Sequence, residues 1–570
     1  MRPRSFIPTT DQAAPTAPFG PPCVRAKTLS TRLPAHTSTD PLRTLETLAT
    51  RRPGLALLET LDRRTLDLDG PHLPSARSTL AHRPLIRLRK RGRTIEFRCL
   101  APTAAPLLPR LASRLRDFGY EPTQTGTDLL TCDQPRRAIA EDATDDERLR
   151  DHSALDAIRS LASLIAADDD GEDEAGRQIP PSVLGAFGFD LAAELERPDQ
   201  AKSDNSSHHD GSNLALVLAA DFVVFDEAFT TVVSRGLPWE GSLDLRDRHE
   251  AEVSALRAGA IRPDETPNAS PRSVEADCSE QEFCDRVERM KEHILDGDVF
   301  QAVLSRSITV ESARTSYETY RALRRQCPSP YMFHVDLRDD LEQTSEALFG
   351  ASPETFVRVE KGEVEVKPIA GTAPRGRLES GETDHARDTR LALSLLLDQK
   401  EQAEHVMLVD LGRNDLARVS KPNSTRVVEL FAVEKFSQVQ HLVSRVRGTL
   451  REGLDALHAY RAVANPGTLT GAPKIRAMEL ILAAESSSRG FYGGAIGILQ
   501  QDGRFDSCIV IRSAHQRGSE FVVRSGAGIV RDSQPRQEFE ETLHKARSVL
   551  RALGVHETTR PTSQPIGGAT

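Results

Sequence analysis

KEQAEHVMLVDLGRND (residues 400–415) and QEFEETLHKARSVL (537–550) each carry two glutamates three positions apart, Glu401 with Glu404 and Glu538 with Glu541. On a helix such pairs project from one face about one turn apart, and Lys545 continues the second face. Two such faces set against each other repel unless a divalent cation lies between them, and an oxygen-only donor set suits Mg²⁺. Either pair alone reads as a solvated helix face. The stretches around them decide otherwise.

A chain of 570 residues exceeds one hydrophobic core, so two domains or one large two-layer body are expected. Apolar residues make up 38% with a single Trp, and the runs at 405–410, 495–499 and 508–511 mark buried strands. No stretch approaches the roughly twenty apolar residues that span a bilayer, so the chain reads as soluble. A net charge of −10 and a pI near 5.9 offer no electrostatic reason to expect nucleic acid or an anionic membrane as partner. The seven cysteines (23, 99, 132, 278, 284, 327 and 508) are odd in number and form no C-x-x-C pair, which argues against a zinc knuckle or disulfide framework. A reducing cytoplasm fits, and the basic, proline-containing start lacks the apolar core of a secretory signal.

Residues 1–40, rich in Pro, Thr and Ser, read as a loose tail. GLALLETL (54–61) is the first segment of core character, and RPLIRLRKRGRTIEFRCL (83–100) reads as two strands about a turn near Arg91 and Gly92. HSALDAIRSLASLIAA (152–167) sets Leu155, Ile158, Leu161 and Ile165 at helical spacing before an acidic loop, DDDGEDEAG. LGAFGFDL (184–191) reads as a buried strand, followed by a polar stretch (201–213) and the apolar LALVLAADFVVFD (214–226). This first half is mostly β. The segment 257–277, with RPDETPNASPRS, is the best linker, and a new unit opens at Ser279, which forms a capping box with Glu282 ahead of Phe283, Val287, Met290 and Ile294 on one helical face. The expected organisation is a tail (1–40), an N-terminal domain (41–265), an α+β domain (270–556) and a second tail (557–570).

PIAGTAPRG (368–376), NPGTLTGAPK (465–474), GFYGGAIG (490–497) and GAGIV (526–530) are glycine-rich loops beside apolar strands, where backbone N–H groups can approach an anion. GTLTGAPK lacks the spacing of a Walker A loop. With DLGRND, QHLVSRVRGTL, CIVIRSA and the two acidic helices, in this order, they resemble the chorismate-utilising enzymes, and among these the large, aminating subunits of anthranilate synthases. The resemblance is continuous from about 279 to 553 and weaker in the first half, through LLET, SALDAIRSL, Phe189 with Asp190, and VVFD.

The resemblance implies the family's α+β fold, β-sheets with helices packed outside, and a reaction in which chorismate gains an amino group at C2, loses its C4 hydroxyl and then eliminates pyruvate. It implies Mg²⁺ held by Glu404 and Glu541, with Glu401 and Glu538 beside them. Glu354 matches the acid that protonates the departing hydroxyl; His441 matches the base that removes the C2 proton, work that an imidazole of near-neutral pKa suits. Arg512 and Tyr492 match positions that hold the enolpyruvyl carboxylate, completed by Lys545, Gly526 and Gly528, with Gly371, Thr372 and Thr468 in ligand-contacting loops. Without the resemblance, Arg512 reads as a salt-bridge partner, Tyr492 as core and His441 as structural.

Gln301 stands where isochorismate-forming relatives carry a water-activating Lys, and Ala370 where aminodeoxychorismate synthases carry a nucleophilic Lys. Both favour ammonia attack and anthranilate. The chain carries no glutaminase signature, so ammonia is expected from a separate glutamine amidotransferase subunit, in a heterotetramer, or from free ammonium. Leu58, Glu59, Thr60, Pro328, Tyr331, Met332 and Cys508 match the family's tryptophan pocket, with Glu59 placed to meet the ligand ammonium. Thr60 replaces the usual Ser there, and Cys327 the usual Asn, so feedback inhibition is expected to be weaker. The alternatives are an aminodeoxychorismate synthase large subunit or a catalytically silent tryptophan-binding paralogue.

Overall fold

The structure, a computed structural model, describes residues 18–556 and 562–563 apart from 35–39, 43, 46–54, 61–76, 136–142, 168–179, 197–211, 227–228, 259–269, 339–343, 379, 381 and 437–438. It is an α+β protein in which long antiparallel strands carry the hydrophobic core and helices pack against them.

In the first half the strand Arg77–Arg91 pairs along most of its length with Ser212–Asp226, and both are buried almost throughout. The hairpin turns where the sequence places it, at Gly92 with φ 53°, and returns as Thr94–Cys99. Helices Leu108–Asp117, Ala154–Ala162, Phe189–Glu196 and Ser242–Ala258 accompany these strands, so this half is less exclusively β than its sequence suggests.

Several expectations need correction. The tail expected over 1–40 contains the strand Val24–Pro34, which runs antiparallel to Phe229–Gly236 and parallel to Ile165–Ala167 and buries Val24, Ala26 and Leu33. Averaging over the Pro-, Thr- and Ser-rich flanks hides this alternating segment. The second expected tail contributes Thr562–Ser563, paired with Glu275–Ala276. The linker expected over 257–277 ends in the strand Ser273–Ala276, paired with Gln301–Glu311, and begins in the last turn of a helix. Residues 1–17, the acidic loop 168–176 and most of 201–213 lie outside the described residues. The helix expected over 152–167 stops at Ala162, and Ile165 belongs to a strand instead. LGAFGFDL divides between the strand Ser182–Phe187 and the helix starting at Phe189. The apolar run 405–410 lies inside the helix Gln399–Ala417, and the strand through 508 stops at Ile509.

In the second half, Ser279 caps the helix Glu280–Leu295 through the expected box with Glu282 and buries Phe283, Val287 and Met290. Gln301–Glu311 pairs with Glu520–Ile529 from Ala302 to Glu311, while Gln301 pairs with Ala472. Strands cross between the halves: Ala56–Thr60 lies between Arg77–Arg91 and Tyr331–Asp336, and Ser182–Phe187 pairs with Ala495–Gln500. One apolar cluster accordingly joins Leu57, Leu80 and Val223 to Ile308, Phe349 and Val549. This shared core positions the site described next.

Candidate active site

Glu354 falls in the break between the strands Glu346–Ser352 and Thr355–Glu360, its carbonyl accepting from the Ile509 amide at 3.0 Å. Its carboxyl is buried, and the Thr468 hydroxyl donates to it at 3.0 Å. Burial pushes the carboxyl up to about 8, against the pull of Thr468, Lys545 and Arg512. A carboxylic acid so placed keeps its proton at neutral pH and can still give it away.

His441 lies on the strand Val439–Thr449, opposite Thr372 on Ile369–Pro374. The register shifts between Ala370 and Thr372, and Gly371 there adopts φ 66°, which suits glycine. Its carbonyl oxygen lies 2.9 Å from His441 Nδ1, and Thr372 Oγ1 lies 3.1 Å from the same atom. A carbonyl can only accept, so Nδ1 carries the proton and Nε2 is the free base. Nε2 is buried with no hydrogen-bond partner among the described residues. Burial, then the charges of Arg512 and Lys545, push the imidazole down to about 4. The expected near-neutral pKa is thereby corrected: at pH 7 this ring is neutral.

The two acidic faces lie within electrostatic reach of each other. Burial raises the carboxyls of Glu401, Glu404 and Glu538, and the neighbouring carboxylates push further: Glu404 and Glu541 act on Glu401, and Glu541 acts on both Glu404 and Glu538. Glu401 also touches the His441 support, since a Cβ at Gly371 would lie 2.9 Å from Glu401 Oε2. Lys545 Nζ holds Glu541 at 2.7 Å, and Lys400 stands 3.8 Å from Glu404. Among the described residues no group of three or more His, Cys, Asp or Glu side chains is gathered closely enough to hold a metal ion as it stands.

The floor is the pairing of Gln301–Glu311 with Glu520–Ile529. Gly526 faces Ser305 and Gly528 faces Val303. A Cβ on Gly526 would stand 3.1 Å from the Tyr492 hydroxyl, and one on Gly528 3.2 Å from Gln301 Nε2. Lys545 Nζ donates to the Gly526 carbonyl at 3.0 Å. Tyr492 is buried, which pushes its phenol up to about 12. Arg512 has φ 48° in the bend between the strands Phe505–Ile509 and Ser513–Arg517. It lies within electrostatic reach of both Glu354 and His441. Ala370, opposite Leu442, brings no charge to this wall.

Two motif residues passed over in the sequence prove to be partners: Lys474 of NPGTLTGAPK donates to Asp415 of DLGRND at 2.8 Å. A small cavity behind Glu354 and Thr468 is lined by Lys367, Leu408, Gly412 and Asp415. The ion pair of Glu485 and Arg489 was also missed, since it forms past the end of the helix Lys474–Ala484, where helical spacing gives no signal.

Away from this site, a cavity of about 130 Å³ between the halves is bordered by Leu58, Glu59, Thr60, Tyr331, Met332 and Cys508, but not by Pro328. Glu59 pairs with Met332 in register and shares its face of the sheet. The Glu59 carboxylate accepts from Tyr320 at 2.6 Å, Arg324 at 2.9 Å and Ser78 at 3.1 Å and is 1% exposed. Tyr320, Arg324 and Ser78 thus already occupy the Glu59 carboxylate, the group that the resemblance sets against a ligand ammonium. On the cavity side, Tyr331 donates to Asp506 at 3.0 Å.

The sequence matches the chorismate binding enzyme family over residues 119–551. It is 36% identical to anthranilate synthase component 1 of Vibrio cholerae over 519 residues, covering 90% of this chain and 94% of the relative. It is 42% identical to the component 1 of Streptomyces coelicolor over 390 residues, 66% of this chain and 74% of the relative. Its fold superposes on anthranilate synthase component I from Streptococcus pneumoniae with TM-score 0.63 and 28% identity, over 85% of this chain and 95% of the other. The menaquinone-specific isochorismate synthase MenF of Escherichia coli, 17% identical with TM-score 0.60 over 94% of this chain and 96% of the other, shares the fold. With this match spanning both acidic helices, Glu354 and His441, the chain belongs to the chorismate binding enzyme family.

Proposed function

We propose that the chain is the large subunit of an anthranilate synthase, converting chorismate and ammonia to anthranilate, pyruvate and water. The observation that carries this reading is a buried carboxyl, Glu354, held by the Thr468 hydroxyl, together with an imidazole, His441, whose Nε2 is left bare by the Gly371 carbonyl at Nδ1, both within electrostatic reach of Arg512. Ammonia attacks C2, the ring double bonds shift, and the C4 hydroxyl takes the Glu354 proton and leaves as water, the surplus proton of the new ammonium restoring the carboxyl. His441 Nε2 then removes the C2 proton, the ring becomes aromatic, and the C–O bond to the side chain breaks, releasing enolpyruvate that takes up a proton as pyruvate. Arg512 and Tyr492 would hold the enolpyruvyl carboxylate, with Lys545 and the Gly526 and Gly528 backbone closing the pocket, and Gly371 and Thr372 on its other side. Gln301 and Ala370 supply neither a base nor a nucleophile, which favours amination over hydroxylation or covalent capture.

Glu401, Glu404, Glu538 and Glu541 fit Mg²⁺ as a donor set, being all hard oxygen, and burial together with neighbouring carboxylates raises Glu401, Glu404 and Glu538, a penalty that a cation would relieve. Bound there, Mg²⁺ supplies positive charge for the ring carboxylate. Relatives named component 1 support a second component as partner, which on this reading supplies the ammonia from glutamine. Incubation with chorismate, Mg²⁺ and ammonium, read by product fluorescence and mass, tests this reading. Anthranilate from ammonium, and from glutamine only after a glutaminase subunit is added, is expected; 4-amino-4-deoxychorismate as product, or no turnover, would reject it.

A further inference from the structure

Behind the pocket a buried ion cluster touches three of its walls. Arg489, 3% exposed, donates to both oxygens of Glu485 at 2.9 and 2.6 Å, to the Leu469 carbonyl at 2.6 Å and to the Val303 carbonyl at 2.7 Å. Glu485 in turn accepts from the Ser305 amide at 2.7 Å, the Ser305 hydroxyl at 2.8 Å and Arg524 at 2.9 Å. Burial pushes the Glu485 carboxyl up, but the two guanidinium groups overcome it and hold the group ionised. The Arg489 guanidinium also lies 4.5 Å over the Phe189 ring, with Phe189 donating its amide to the Gly490 carbonyl at 2.8 Å.

Each contact adjoins a pocket residue. Leu469 follows Thr468, whose hydroxyl meets Glu354, and Val303 and Ser305 face Gly528 and Gly526 across the floor. We propose that Arg489 is a positioning residue that holds the Thr468 loop against Glu354 and fixes that loop to the glycine floor. It rests on the reading of Glu354 as the acid of the first step. Arginine suits the task because one planar fork serves Glu485, Leu469 and Val303 at once, which the single ammonium of lysine cannot do.

Arg489→Lys keeps the charge that Glu485 needs and loses the fork. The Thr468 bond favours the ionised form of Glu354, so a slackened loop raises the pH at which the acid is lost. The other groups acting on Glu354 stay in place: Arg512 in its turn and Lys545 on the helix Pro535–Ala552, with Lys367 and Asp415 around the cavity behind it. In Arg489→Lys, kcat should fall at least tenfold with a smaller change in KM, and the alkaline limb of the profile should move upward. Thr468→Val should move the limb the same way. Arg524→Lys, altering the same cluster without touching Leu469, should lower Tm but leave the limb in place. A limb unmoved in Arg489→Lys, or moved equally in Arg524→Lys, would overturn the proposal. Full turnover in Glu354→Gln would instead sink the reading of Glu354 on which it rests.

Discussion

The Gly371 carbonyl oxygen and His441 Nδ1 lie 2.9 Å apart, a contact that decides which imidazole nitrogen is the base. Gly371 reaches this position through φ 66° at a register shift, on the strand whose backbone also abuts Glu401. The acidic helix and the proposed base are therefore linked through one glycine.

His441→Ala should slow elimination far more than amination, because only the second half-reaction takes the C2 proton. The intermediate 2-amino-2-deoxyisochorismate should accumulate, and a loss on the order of 10²–10⁴-fold in anthranilate formation is expected. Chromatography of quenched reactions checks this; unreacted chorismate without intermediate would assign His441 to another step.

Turnover should show a plateau bounded by the two groups. Glu354 acts with its proton on, so activity is lost as pH rises through about 8; His441 acts with Nε2 bare, so activity is lost as pH falls through about 4. Profiles of kcat at constant free ammonia measure both limbs. A basic limb near the usual glutamate range would mean that Glu354 is not the acid.

Glu404→Gln and Glu541→Gln should stay folded and lose Mg²⁺-dependent turnover, since each removes a donor and also part of the repulsion between the faces. Thermal unfolding separates binding from chemistry. Mg²⁺ at a hundredfold excess over its Kd should stabilise the parent by about 2.7 kcal/mol and the variants by much less. Equal shifts in parent and variants would place the cation elsewhere.

The catalytic half was legible because its motifs are long and follow one order: acidic pairs at helical spacing, glycine loops and a capping box at Ser279 each read locally, and the helices and strands carry them as expected. What escaped depends on partners distant in the chain. Val24–Pro34 becomes a strand because Phe229–Gly236 offers it an edge, which composition cannot reveal. The low pKa of His441 follows from burial, and the orientation of Glu59 follows from which neighbours flank its strand. Arg489 and Glu485 lie past the end of the helix Lys474–Ala484, and their burial depends on strands far away in the chain.

Tryptophan should inhibit the chain by binding the cavity between the halves, with its affinity set by the charged groups that line it. Glu59 is committed to Tyr320, Arg324 and Ser78, so Glu59→Gln should cost about 1–3 kcal/mol of stability while leaving inhibition nearly unchanged. Asp506 and Glu360 line the cavity and suit an ammonium, while Arg77, Arg358 and Arg504 suit a carboxylate. Losing a charged hydrogen-bond partner costs about 1.5–3 kcal/mol, so Asp506→Asn should raise the inhibitory concentration roughly 10- to 100-fold. Thr60, whose hydroxyl donates to the Arg77 carbonyl at 3.2 Å, brings an extra methyl to the same wall, and Thr60→Ser should tighten inhibition. The route to the chemistry is short: Cys508 lines the cavity opposite Thr355, and the next residue on each strand brings the Ile509 amide to the Glu354 carbonyl. A ligand that shifts this strand pair biases the position of the acid, provided it binds one arrangement better than the other. Rates across a tryptophan series in the parent, Glu59→Gln, Asp506→Asn and Thr60→Ser decide it. No inhibition at millimolar tryptophan rejects the regulatory role, and inhibition abolished by Glu59→Gln in a folded chain moves the ligand onto the Glu59 carboxylate.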